Sequence, residues 1–133
     1  GRSVFFGETP VPFDRRADVL LDSDIGVLAQ APNLETQLSA RTRMLDYLWT
    51  DCPVVLTDGD EWADAAKATG FGVVLADNRP EAWRDAVLDL AGDPAAVAKM
   101  RAAVKRVKAG LGWERCVDPL VRFVTTGRAA AAA

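Results

Sequence analysis

Three short apolar runs constrain this chain more than any other feature: Ile25-Gly-Val-Leu-Ala29, Pro53-Val-Val-Leu-Thr57 and Gly72-Val-Val-Leu-Ala76. They are rich in Val, Ile and Leu and show no polar alternation, as strands do when both sheet faces are covered. Between them lie mixed stretches long enough for crossover helices. Strands spaced in this way pair in parallel through right-handed crossovers. Val4-Phe5-Phe6, ended by Gly7, reads as a further strand. The expected class is α/β, with a parallel sheet of about four strands, flanking helices and, after Pro80, a C-terminal helical appendage.

Local signals place the helices. Asp14 is suited to cap a helix reaching about Ser23, with Ala17, Leu20 and Leu21 on its inner face. Ala31 to Gln37 reads as a loop, and a helix over about Ser39–Thr50 should turn Leu45, Leu48 and Trp49 inward. Asp58-Gly-Asp60 is a turn that caps a helix from Glu61 to Thr69, stopped by Gly70. Helices over about 81–91, 94–109 and 113–125 follow. Pro94 falls in a first turn, and Pro119 should kink the last helix or mark its restart. Residues 1–126 form one unit, and 127–133, ending in alanines, are a tail outside it.

Composition narrows the function. The net charge is −3 and no basic stripe is present, which speaks against nucleic acid as a partner. The absence of histidine removes the commonest general base and metal ligand. Cys52 and Cys116 lie far apart without metal-type spacing, which fits a reducing compartment. Cys52 reads as a small buried hydrophobe, and Cys116 should pack inward. The Asp22-Ser-Asp24 and Asp58-Gly-Asp60-Glu61 clusters serve better as helix ends and turns than as a metal site. Trp49, Trp62, Trp83 and Trp113 fall on separate helices and read as packing groups. The apolar runs are far shorter than the roughly 20 residues that span a bilayer, and no basic-then-apolar signal opens the chain. The expected location is cytoplasmic, at most peripheral at the inner membrane face.

In open parallel sheets ligands bind beyond the carboxyl ends of the strands. Four loops qualify: Gly7–Pro12, Gln30–Leu38, Thr57–Asp60 and Ala76–Arg79. The second carries Glu35 and leads into a helix with Arg41, Thr42, Arg43 and Asp46. Thr42 and Arg43 lie four and three residues before Asp46, so they share its face. A carboxylate there can accept from ribose hydroxyls. Free N–H groups of the first turn and the arginines can hold phosphate. On spacing alone, Arg43–Asp46 reads first as an ordinary surface pair worth about 0.2–0.5 kcal/mol, since helices carry such pairs everywhere.

Glu35-Thr-Gln-Leu-Ser-Ala-Arg41-Thr-Arg-Met-Leu-Asp46-Tyr-Leu-Trp-Thr-Asp-Cys-Pro53-Val-Val-Leu-Thr57 resembles the signature region of group 1 (family 4) glycosyltransferases with two Rossmann-like domains. That family has a glutamate loop, a helix with Leu-Glu-Ala-Met-Ala, then Gly-x-Pro-Val-Val and a threonine. Leu45-Asp46-Tyr47 would stand for Leu-Glu-Ala, and Pro53-Val54-Val55 for the strand. Val4-Phe5-Phe6-Gly7, Asp22-Ser-Asp24-Ile25-Gly-Val27 and Trp113-Glu114 also resemble family features, so the likeness covers about residues 3 to 124. Two departures stand out. Ten residues rather than seven separate Glu35 from Asp46, and the second carboxylate is aspartate.

The resemblance implies a partial Rossmann-like sheet that binds a nucleotide-diphosphate sugar for retaining, metal-free transfer to a glycan or lipid acceptor. No cofactor is implied beyond the donor. The donor's ribose would sit at Asp46, its diphosphate near Arg41, Thr42 and Arg43, and its sugar at Glu35. Glu35 and Arg43 would be the catalytic pair, with Arg43 stabilising the departing diphosphate. The resemblance further implies that the chain starts at the third strand of the donor domain. An acceptor domain and two strands would then lie elsewhere, the piece alone would be inactive, and its cut sheet edge would invite self-association. The competing reading is a non-catalytic flavodoxin-like binding or assembly module.

Overall fold

The computed structural model describes Gly7 and residues 9–127. The strand expected at Val4–Phe6 and the tail from 128 onward lie outside the described residues. Among those described, the sheet has three strands rather than four: β1 (Gly26–Leu28), β2 (Val54–Thr57) and β3 (Gly72–Leu75). They run in the order β1-β2-β3, all parallel, with Val27, Val55 and Val73 in register.

β2 is central and all four of its residues are buried. β1 and β3 are each covered by one neighbour among the described residues, and Val27 stays half-exposed. The period of two sorts β2 between two cores. Val54 and Leu56 face Met44, Leu48, Ala63 and Ala66, together with Phe71 and Val104. Val55 faces the opposite way, towards Leu90, Met100, Val73 and Trp83.

Among the described residues there are seven α-helices: α1 (Arg16–Leu21), α2 (Leu34–Leu38), α3 (Arg43–Trp49), α4 (Glu61–Thr69), α5 (Pro80–Gly92), α6 (Pro94–Lys108) and α7 (Trp113–Thr126). α3 and α4 cover one sheet face and α5 the other, while α6 contributes to both cores. Several ends follow the sequence signals. Asp60 Oδ1 accepts from Ala63 N at 2.9 Å at the start of α4, and Asp93 Oδ1 accepts from Ala96 N at 2.9 Å at the start of α6. Gly70 ends α4 in the left-handed region, with φ 75°. Gly72 answers a different need, because a Cβ there would lie 2.7 Å from Val54 O across the sheet.

Other elements differ from expectation. The first helix is a 3-10 turn at Phe13–Arg15 that continues into α1, and Leu21 is exposed. The segment read as a loop contains α2, capped by Asn33 Oδ1 accepting from Thr36 N at 2.8 Å. The following helix starts only at Arg43. Its buried stripe is Met44 and Leu48, whereas Leu45 is 50% and Trp49 55% exposed. A residue one step along a helix is rotated by about 100°, so the pair 44/48 meets the sheet and 45/49 turns away. Trp49 lies beside Phe13 and Ala17 in a shallow cleft. Cys52 is buried as expected, but Cys116 is exposed because α7 buries none of its residues. α7 also passes through Pro119 without a break. Trp113 on α7 is 76% exposed, so it is no packing group here. No helix among the described residues is long and apolar enough to cross a membrane.

Candidate functional site

The segments that leave the carboxyl ends of all three strands are tied to one another. After β1, Gln30 N donates to Thr57 Oγ1 at the end of β2, at 3.1 Å. After β3, Asn78 Nδ2 donates to Gln30 O at 2.6 Å. Arg41 Nη2 donates to Thr57 O at 3.3 Å, and Arg41 Nε forms an ion pair with Asp60 Oδ2. Thr57 therefore meets the segment between β1 and α3 twice, through its hydroxyl and its carbonyl.

Within that segment Thr36 is buried and donates through Oγ1 to Ala31 O at 2.8 Å. Glu35, one residue earlier, is exposed and faces a polar cavity of about 200 Å³ lined also by Gln30, Asn33, Thr36 and Ser39. Hydroxyl, amide and carboxylate groups converge there, a set suited to a hydroxyl-bearing ligand. Apart from Arg41 Nε and Asp60 Oδ2, which have only their ion pair, two atoms at this end are buried without a hydrogen-bond partner among the described residues, Arg41 Nη1 and Gln30 Oε1. An unmade hydrogen bond of this kind costs about 1–3 kcal/mol.

The remaining expected site residues stand elsewhere. Arg41 points inward and is buried with Asp60. Thr42 precedes α3 without capping it through its side chain. Arg43 Nη1 donates to Asp46 Oδ2 at 2.9 Å, and Arg16 Nη2 on α1 donates to Asp46 Oδ1. Both carboxylate oxygens of Asp46 are thus held by guanidinium groups. Neither Arg43 nor Asp46 lines the Glu35 cavity, so the structure brings Glu35 together with Gln30 and Thr36 but not with the Arg43–Asp46 pair.

No family model, curated protein or solved structure matches this chain. Its site must be read from its own residues. Among the described residues no group of three or more His, Cys, Asp or Glu side chains is placed to hold a metal ion.

Charges at the strand ends are locally set. A hydrogen bond from Lys67 holds the Asp58 carboxyl below its ordinary range. The Arg79 backbone N–H, with its side chain, does the same for Asp77. Burial pushes Tyr47, whose hydroxyl donates to Val27 O at 3.2 Å, above the usual phenol range. Sequence reasoning missed Thr57, Asn78 and the second role of Asp60. A polar residue closing the apolar run 53–57 was the available signal for Thr57. Nothing local pairs Asp60 with a residue nineteen positions earlier.

Proposed function

We propose that this chain carries part of a donor site for a nucleotide-diphosphate sugar, in a retaining glycosyltransferase with a Rossmann-like donor domain. The observation that carries the reading is the Glu35 cavity, lined by polar side chains apart from Ala31 and lying where three parallel strands present their carboxyl ends. Ligands of open α/β sheets gather at that edge. Glu35, Asn33 and Ser39 would hold sugar hydroxyls. Arg43, half-exposed on the first turn of α3, would meet the diphosphate and stabilise it as it departs. Asp46 would accept from the ribose by exchanging one of its two arginine partners. The reading includes no metal, and the acceptor, a glycan or lipid, would be held by another domain.

The test is ligand-observed NMR with UDP, GDP and their sugars against this chain and its Glu35→Gln variant. The expected result is weak binding that prefers the sugar-bearing nucleotides and is reduced by the variant. Equal signals for the variant, or none from the wild-type chain, would sink the donor-site reading.

A non-catalytic assembly module is the second reading. It is favoured by the closed Arg16–Asp46–Arg43 cluster and by α7, whose Trp113, Leu120, Phe123 and Val124 are all at least half-exposed. Light scattering over a dilution series on the wild-type chain and a Leu120→Asp/Phe123→Asp variant separates the two: assembly through α7 makes the mass concentration-dependent in the wild type alone, whereas pairing at the sheet edge survives the substitutions.

A further inference from the structure

The segment from Gln30 to Arg41 carries Glu35 yet has little to hold it in place by itself. Its helix α2 has five residues, far below the roughly 12–15 at which an isolated helix becomes even marginal. Its internal bonds, Thr36 N to Asn33 Oδ1 and Thr36 Oγ1 to Ala31 O, fix its shape but not its position on the sheet. Position comes from the ends. At the entry, Gln30 N is bound to Thr57 Oγ1 and Gln30 O accepts from Asn78. At the exit, Arg41 is bound to Thr57 O and paired with Asp60. Asp60 cannot drift, because its other oxygen caps α4 through Ala63 N.

We propose that Arg41 is a positioning residue: with Asp60 and Thr57 it latches both ends of segment 30–41 onto the end of β2, and so sets where Glu35 stands. Arg41 suits this role because a guanidinium presents several donors in a fixed fork, and one side chain can serve a carboxylate and a carbonyl together. A buried ion pair also favours one arrangement over its neighbours, since moving either partner strands a charge. The latch assigns Arg41 to the scaffold of the Glu35 cavity rather than to its ligand. Only the ligand arm of the test rests on the donor-site reading.

Amide hydrogen exchange on the wild-type chain, the double variant Arg41→Gln/Asp60→Asn and Thr57→Val decides the matter. The double variant removes both buried charges together, so it keeps the chain folded where a single change would strand one. Glutamine is too short to span from Asp60 to Thr57 O. The expected result is that the amides of Thr36, Gln37 and Ser39 exchange about tenfold faster or more in the double variant. Those of Val55 and Leu56 should keep their wild-type rates. Thr57→Val should speed Gln30 in the same way. Unchanged segment rates in both variants would overturn the proposal. Segment and β2 amides accelerating together would also overturn it, because the pair would then hold the whole core. So would unprotected segment amides in the wild-type chain. Titration of the same proteins with UDP, GDP and their sugars forms the second arm. Binding weakened in the double variant is expected. If the wild-type chain binds none of these probes, the donor-site reading fails while the exchange data still judge the latch.

Discussion

Arg41 and Asp60 form an ion pair in which each side chain is 1% exposed, nineteen residues apart in sequence and facing each other at the carboxyl end of β2. Removing one partner leaves the other charged and buried. Arg41→Ala or Asp60→Ala should each cost about 3–5 kcal/mol in urea unfolding, and the paired neutral replacement far less than their sum. Single losses below about 1 kcal/mol would mean that water reaches the pair.

Two glycines should respond with opposite signs. Gly72→Ala forces a Cβ to within 2.7 Å of Val54 O, which cannot yield without parting β2 from β3. A loss of about 1–3 kcal/mol is expected. Gly92→Ala meets open space in α5 and should stabilise by up to about 0.5–1 kcal/mol. Thermal melts of the two variants check both directions.

The Asp58–Lys67 contact, 2.6 Å long, sets a pH window. Asp58 is depressed in the folded chain, so its contribution is fully present above the unfolded value of about 3.9 and is lost as pH falls through the lower folded one. Lys67 is raised, so its share is present below about 10.4 and lost as pH climbs through the higher folded value. The stability difference between wild type and Lys67→Met should therefore stay flat across neutral pH and shrink at both extremes. A difference that peaked near neutrality and fell within a unit of it would contradict the assignment.

Lys108 donates to Trp49 O at 2.7 Å and to Asp51 Oδ1 at 2.9 Å, placing a cation at the carboxyl end of α3 beside the left-handed Asp51, φ 57°. Lys108→Met should lose about 1 kcal/mol, measured by urea unfolding, through the exposed carbonyl and the lost charge.

On the Arg43–Asp46 pair the donor-site reading makes its own forecast. Asp46→Ala should weaken nucleotide binding by about 1.5–3 kcal/mol, as loss of a charged acceptor does. Arg43→Ala should affect UDP more than uridine. Equal affinities for both variants and the wild type in calorimetry would leave the pair a surface contact worth under about 1 kcal/mol.

The three apolar runs determined the class of this protein because helix-length stretches separate them, and strands so connected pair in parallel; of the three, only β2 is buried at every residue, while Val27 of β1 stays half-exposed. Asp60 and Gly70 were equally legible, since capping and left-handed turns depend on neighbours within one helical turn. The inner face of α3 was legible only in part. Leu48 turns inward as expected, but apolar residues stand on two stripes about 100° apart, 44/48 and 45/49, and only packing against the sheet chose Met44 and Leu48 over Leu45 and Trp49. α2 escaped because five residues carry too little periodicity to register against Asn33 and Thr36 read singly. The destination of Arg41 was beyond any local pattern. A guanidinium near a helix start signals a phosphate as readily as a buried partner, and only the packing of β2 against α4 supplied Asp60 at the right place. Tertiary structure likewise decided that Asp46 meets Arg16 as well as Arg43, since α1 and α3 become neighbours only once the sheet has formed.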